Sequence, residues 1–458
     1  MIFRELIDNN KDLLVEKLQG CVRIPSVEDI GGGGYPFGEN VHNCLHYMLD
    51  LSREMGFRTY NMDEHVGWCE YGDGEEMVAV LGHLDVVPEG DGWSVEPYAG
   101  IVKDGRIYGR GTSDDKGPTM AALFALKAIK DSGVKLKRRI RIIFGLNEET
   151  GSADMKYYSE NGGETPIMGF TPDAEYPVIN GEKGIISERY VCKYVPEGNI
   201  RIKEIWGGTA HNIVPDYAYA VLNCDKETAE KITAVEDDKI KVSAFEDGVK
   251  VEAYGVSAHG GSPHLGENAI GRLLLFMTKL SLQGKAGAAI AFLAEKLGME
   301  CDGKSIGIAM SDEVSGKLSM NFGVIRGNEE TIEVTLNYRY PVTKKYEMCG
   351  PIVQKAFTDA GFDRTWILHH EGIYMPPESE LVQKLMKVYA ENTGDYDSKP
   401  KCIGGGTYAK SLPNVLAFGS LFPGDEGREH KADEFVEIRR LIENANIIAD
   451  AMYALAND

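Results

Sequence analysis

The sequence predicts an α/β fold, with a mostly parallel sheet, helices on both faces and an inserted α+β domain. Three observations lead there. Up to about residue 183, stretches with helical period alternate with apolar strand-like runs, as successive βαβ units do. From 184 to 375 the rhythm changes to short alternating strands with amphipathic helices between them. From 376 onward the first rhythm returns. The expected organisation is therefore a discontinuous domain, 1–183 with 376–458, and an insert over 184–375.

Each element has its own signal. Residues 6–18 and 40–55 carry apolar positions at helical spacing, separated by a glycine run at 31–34 that reads as a flexible loop. The apolar run Met77-Val78-Ala79-Val80-Leu81 reads as a buried strand, and residues 105–109 as a short one. An Ala/Leu-rich helix is expected over 120–130, and a β-branched strand over 139–144. Within the insert, 186–191 and 249–253 alternate as half-buried strands do, and 269–282 is amphipathic. Two parts of the insert echo each other: 205–208 leading to 220–223, and 320–323 leading to 334–337. This raises an internal duplication. A helix over 380–392, a buried strand over 415–419 and a closing helix over 437–454 complete the first domain.

Composition narrows the function classes. The 458 residues suffice for two or three domains, and 43% hydrophobic with 26% charged residues is ordinary for a globular protein. A formal net charge of -22 argues against nucleic acid and anionic membranes as partners. The eight cysteines form no Cys-x-x-Cys pair and read as free thiols of a reducing cytoplasm. Residues 1–8 look like an amphipathic helix start, with acids inside it, and lack the features of a signal peptide. No stretch approaches the roughly 20 apolar residues of a membrane span.

The chemistry-bearing residues cluster at strand ends. His83 and Asp85 follow the strand at 77–81. On a strand, i and i+2 share a face, so the imidazole can bind a metal while Asp85 holds its other ring nitrogen. Asp114 and Asp115 stand in Gly109-Arg110-Gly111-Thr112-Ser113-Asp114-Asp115-Lys116-Gly117-Pro118, before the helix. Glu148 and Glu149 follow the strand at 139–144, and Asp173 stands in Phe170-Thr171-Pro172-Asp173-Ala174-Glu175. His430 comes late, in Arg428-Glu429-His430-Lys431. Singly, each has a structural use: a helix cap for the aspartates, a first-turn acid for the glutamates. Together they form a set, because open α/β sheets place their sites at the carboxyl ends of strands. Two histidines, several carboxylates and no cysteine suit a pair of divalent ions, Zn²⁺ first and Mn²⁺ as the alternative.

In this order, His-x-Asp, Gly-x-Ser/Thr-x-Asp-Asp-Lys-Gly, Glu-Glu, Asp and a late His, the motifs resemble the M20 metallopeptidase family. The strings at 109–118, 170–177, 257–269 and 404–409 resemble its dipeptidase V and Xaa-His dipeptidase (carnosinase-like) branch. The resemblance covers nearly the whole chain. It implies a di-metal catalytic domain with an inserted lid domain. One ion would be held by His83 and Asp173 and a second by Glu149 and His430, with Asp114 bridging. A bridging carboxylate screens the repulsion of two cations about 3.5 Å apart. Asp114–Asp115 is expected to be a cis peptide. Asp85 would clamp His83, and Glu148 would act as general base on the attacking water.

Substrate recognition is expected partly from the insert. His259 resembles a lid histidine that approaches the oxyanion, a contact worth roughly 3 kcal/mol. Arg339 resembles the residue that grips a substrate's C-terminal carboxylate, with Asn212 assisting. Gly404, Gly405, Gly406 and Thr407 form a glycine-rich loop whose backbone can approach substrate; with no following Lys-Ser/Thr it is not a phosphate loop. The expected activity is hydrolysis of dipeptides with a free N-terminus. The alternatives are an N-acyl amino acid deacylase on the same scaffold and an inactive metal- or peptide-binding module. If the insert is duplicated, its second half could stand where a partner's lid stands in dimeric relatives. That favours a monomer, with a homodimer as the alternative.

Overall fold

The computed structural model describes residues 3–235 and 237–457. Met1 and Ile2, at the front of the expected N-terminal helix, lie outside them. The chain divides into two compact units. One comprises the chain up to Asn180, Met375–Lys401 and the chain from Thr407 on; the other comprises Gly181–Tyr374 and Cys402–Gly406. Residues 402–406 thus leave the segment 376–458, which had been expected to stay whole. The reason is local, since the Lys183 amide donates to the Ile403 carbonyl at 3.1 Å.

The first unit is built on a sheet whose strands neighbour one another in the order Arg58–Met62, Val66–Tyr71, Arg139–Gly145, Met77–His83, Met168–Thr171, Val415–Ala417, Ile179–Glu182. The middle four run parallel. The flanking pairings are antiparallel. Parallel strands need cover on both faces, and Met77–His83 is buried at every position. Helices Lys116–Asp131 and Ile438–Asn457 pack on each other and on that strand. The expected N-terminal helix is split at Asn10 into Arg4–Asn9 and Lys11–Val22, and the glycine run carries a short turn, Gly32–Gly34, with Gly33 in left-handed backbone.

The second unit carries an eight-stranded sheet in the order Ile240–Phe245, Gly248–Tyr254, Tyr217–Asn223, Arg201–Gly207, Ser319–Asn328, Thr331–Tyr340, Gly184–Lys193, Asp363–His370. All its pairings are antiparallel. Helix Ala269–Met277 lies on Tyr217–Asn223 and Gly248–Tyr254. The two echoing segments are two hairpins that meet through Arg201–Gly207 and Ser319–Asn328. Each unit has its own apolar core. Among the described residues no helix is long and apolar enough to cross a membrane.

Candidate metal centre and active site

Register brings the acidic loops of the first unit together. His83 is the last residue of its strand and lies level with Gly145 at the end of the parallel neighbour. The Leu84 amide donates to the Gly145 carbonyl at 2.9 Å, so the segments carrying Asp85 and Glu148 leave the sheet side by side. Asp173 follows the next parallel strand by two residues. Asp114 precedes helix Lys116–Asp131, across a cis peptide to Asp115. His430 arrives on a loop with a left-handed backbone, φ 60°.

Asp114 stands at the centre. One of its oxygens lies 3.0 Å from His83 Nε2 and the other 3.1 Å from His430 Nε2. His430 Nε2 is also 3.1 Å from Glu149 Oε1, and His83 Nε2 is 3.8 Å from Asp173 Oδ2. Donor atoms of His83, Asp114 and Glu149 lie within 4.8 Å of one another, as do those of His83, Glu148 and Asp173. Glu148 is thus itself part of a group that could hold an ion, with His83 and Asp173. His83 is fully buried, whereas the His430 side chain is 53% exposed, so the cluster opens on the His430 side.

Asp85 does more than the clamp expected of it. His83 Nδ1 meets the Asp85 carbonyl at 3.0 Å and its carboxylate at 3.4 Å. The carboxylate also accepts from the amides of Glu148 and Glu149, at 3.2 and 3.1 Å. It thus ties the glutamate turn to the histidine strand. Asp115 is the helix N-cap residue, yet its side chain caps no backbone amide of the helix. Its Oδ2 accepts instead from the His83 amide and the Thr119 hydroxyl, at 3.1 and 2.9 Å. Nor do Glu148 and Glu149 lie in a helical first turn, because the next helix, Ala153–Glu160, starts later.

Two further acids hold the site and carry no sequence signal. Glu434 is buried and accepts from Arg110 Nη1 at 2.6 Å and from the amides of Gly111, Ser113 and Asp114 at 3.1, 2.8 and 3.2 Å. It shapes the loop that presents Asp114. Asp154 accepts from the amides of Leu146 and Asn147, at 2.6 and 3.2 Å, and from the Tyr408 hydroxyl. It does the same for the turn that presents Glu148 and Glu149. Nothing in the spacing of Glu434 or Asp154 announces this, since their partners are backbone amides.

The electrostatics are those of crowded acid. Burial raises the Glu148 carboxyl to about 8, and the charges of Glu149, Asp114 and Asp85 add to it. Burial and the Asp114 charge raise Glu149 and Asp173 as well. Burial alone would raise Asp114, but hydrogen bonds from His430 and His83 prevail and hold it low. His430 is raised to about 10 by its bonds to Asp114 and Glu149. Burial opposes a charged His83, but Asp114 and Asp85 outweigh it and hold the imidazole well above its ordinary value. Buried carboxylates at this density need compensating cations. Imidazole nitrogens and carboxylate oxygens without thiolate fit borderline divalent ions such as Zn²⁺ or Mn²⁺.

The remaining candidates lie in the second unit, apart from Thr407. Arg339 is 4% exposed, and burial pulls its guanidinium down to about 10. Its hydrogen-bond partners are neutral: the Gly404 carbonyl at 2.5 Å, Asn337 Oδ1 at 3.3 Å and His259 Nε2 at 3.4 Å. Burial, then the Arg339 charge, lowers His259. Asn212 is exposed, and its carbonyl accepts from the Gly260 amide at 2.6 Å beside His259. Gly405 and Gly406 belong to this unit, while Thr407 belongs to the first, where its hydroxyl caps the turn Tyr408–Ser411.

Known proteins are similar to this chain at several levels of identity. Two curated relatives are named "Putative dipeptidase": YtjP of Bacillus subtilis (strain 168), 36% identical over 99% of both chains, and SSP1012 of Staphylococcus saprophyticus, 32% identical over 99% of both. Solved structures share the fold at low identity. Human carnosine dipeptidase 1 aligns with a TM-score of 0.58 at 16% identity over 99% of both chains. Aminoacylhistidine dipeptidase from Vibrio alginolyticus aligns with a TM-score of 0.57 at 15% identity over 97% of both. The family model described as peptidase family M20/M25/M40 matches residues 79–454, a span that takes in His83 and His430. The chain is therefore a hydrolase that belongs to peptidase family M20/M25/M40.

Proposed function

We propose that the protein is a di-metal dipeptidase that cleaves the peptide bond of dipeptides with a free N-terminus. The observation that carries the reading is the Asp114 carboxylate, which offers one oxygen toward His83 and the other toward His430. His83 and Asp173 would hold one ion, Glu149 and His430 the other, with Asp114 shared. When bound, the two ions, Zn²⁺ first and Mn²⁺ as alternative, would polarise the scissile carbonyl and acidify water. The dipeptidase names of full-length relatives support the substrate class.

Glu148 is the general base. With bound cations offsetting the acids that raise it, Glu148 would be held as a carboxylate and would take a proton from the attacking water as the new carbon–oxygen bond forms. It then gives that proton to the amine nitrogen as the carbon–nitrogen bond breaks. Asp85 keeps Glu148 and His83 in register through its bonds to both segments. In the second unit, Arg339 receives the substrate's C-terminal carboxylate. A buried guanidinium whose contacts are neutral is ready for an anion, and its planar fork matches a carboxylate. His259 donates toward the oxyanion; Asn212, Gly405, Gly406 and Thr407 contribute to substrate contact. A monomer in the cytoplasm completes the reading.

The test is turnover of a dipeptide panel by Zn²⁺- or Mn²⁺-loaded protein, with each dipeptide run beside its N-acetylated form. Free dipeptides should be cleaved and acetylated ones spared; the reverse preference would identify a deacylase instead. Glu148→Ala should lower kcat by at least about 10³-fold while retaining bound metal, read by elemental analysis. Full activity in that variant would remove Glu148 from the role.

A further inference from the structure

A second group of metal-type ligands lies in the first unit, outside the cluster around Asp114. His42 and His46 are one turn apart on helix Glu39–Glu54, on the same face. Glu64 sits at the tip of the hairpin formed by Arg58–Met62 and Val66–Tyr71. Its carboxylate lies 2.8 Å from His42 Nδ1 and 3.1 Å from His46 Nε2. Donor atoms of the three residues lie within 4.8 Å of one another. Zn²⁺ bonds of about 2.0–2.1 Å at tetrahedral angles set ligand atoms roughly 3.3 Å apart, close to the two separations between the histidines and Glu64.

The surroundings hold these ligands in place. Asn61 donates to Glu64 Oε1 at 2.8 Å and accepts from the Glu64 amide at 3.0 Å. Tyr35 stacks face-on against the His42 ring, 3.7 Å between centroids. His65 stacks on Tyr157 at 3.8 Å, and the Tyr157 hydroxyl donates to Asp63 at 2.8 Å, so the turn is gripped from its other side. Leu45 Cδ1 would lie 2.6 Å from a Cβ on Gly67, which shows how closely helix and hairpin approach. Asp63 and Glu64 both adopt left-handed backbone, φ 52° and 60°, a costly choice for a glutamate. Ligands supported by such outer contacts are the usual condition for tight metal binding.

We propose that His42, His46 and Glu64 form a separate site for a borderline divalent cation of the Zn²⁺ class, with water completing the shell. Two imidazoles select such an ion over Mg²⁺ or Ca²⁺, which favour all-oxygen shells. The role is structural. His42-Asn43-Cys44-Leu45-His46 has no glutamate after the first histidine, so it lacks the base of a hydrolytic His-Glu-x-x-His helix. The ion would pin the hairpin, whose strand Arg58–Met62 is the edge of the sheet, to the helix.

The test is a metal count that is independent of how many ions the Asp114 cluster holds. Chelator-stripped wild type, His46→Ala and Glu64→Gln are dialysed against micromolar Zn²⁺ and analysed by plasma mass spectrometry. Wild type should bind one equivalent more than His46→Ala. Glu64→Gln should bind that equivalent at least about 10-fold more weakly. Dipeptide turnover by the two variants should match wild type when Zn²⁺ saturates the remaining sites. Equal stoichiometry and affinity in all three proteins would overturn the site and leave the contacts as hydrogen bonds that knit turn to helix. Glu64→Gln, nearly isosteric and on a surface turn, keeps the test decisive if His46→Ala fails to fold.

Discussion

Glu434 holds the loop that presents Asp114 without being expected to touch substrate. It satisfies three consecutive-region amides, at Gly111, Ser113 and Asp114, and the buried Arg110. A glutamine has one acceptor oxygen and would turn an NH₂ toward donors. Glu434→Gln should therefore cost about 3 kcal/mol of stability by uncoupling a buried pair. It should also weaken metal binding about 10–100-fold by loosening Asp114. Thermal unfolding and Zn²⁺ titration read the two effects, and unchanged metal affinity would reduce Glu434 to a fold-holding role. Residues like this explain what could be read in advance. His83, Asp114, Glu148, Glu149 and Asp173 stand out because ligand-type side chains follow strand-like runs, and His430 because it completes the motif order of the family. Glu434 and Asp154 act on backbone amides, which every residue has, so no pattern marks them. Asp85 was half legible: the His-x-Asp spacing shows its link to His83, but its grip on the Glu148 and Glu149 amides depends on register between two strands.

Among the elements, the paired strands Val66–Tyr71 and Arg139–Gly145 supply a second test. Glu70 lies opposite Arg141 in the register and receives two of its guanidinium bonds, at 3.0 and 2.7 Å. Both side chains are less than a tenth exposed. Burial works to raise the Glu70 carboxyl, but hydrogen bonds from Arg141 and Arg58 and the nearby positive charges outweigh it and hold it below its ordinary 4.5. A carboxylate lowered in the fold contributes stability above its unfolded value, and that contribution is lost as pH falls through the folded one. Glu70→Gln should thus cost about 3 kcal/mol near neutrality. The gap from wild type should narrow as pH drops below 4.5, followed by denaturant unfolding across pH. A gap that stays constant would mean that packing, not charge, is what the glutamate provides. The element types themselves were readable from period, as at Met77–His83 and Glu380–Thr393. The antiparallel flanks of the sheet were not, since strand direction depends on which neighbour a strand finds and not on its composition.

For the whole molecule, the sheet of the second unit makes a prediction about assembly. Its two echoing hairpins join through Arg201–Gly207 and Ser319–Asn328 within one chain, so a pairing that two copies could supply is already made internally. The protein should scatter light as a single chain at micromolar concentration, with and without Zn²⁺. A stable dimer mass would show that the internal pairing does not replace a partner.

His430 and Glu434 also set an order of events during synthesis. The strands that present His83, Glu149 and Asp173 are all made before residue 181, yet the exposed His430 and the acid that shapes the Asp114 loop come some 250 residues later. Helix Ile438–Asn457, which packs on Lys116–Asp131, comes later still. A growing chain therefore carries a half-built cluster of acids while the second unit, most of it between Gly181 and Tyr374, is produced and can fold. Throughout that interval the carboxylates lack His430, and the apolar face awaiting the last helix is uncovered. Chaperone engagement with ribosome-bound chains of stepwise length should therefore peak just before the final segment is made.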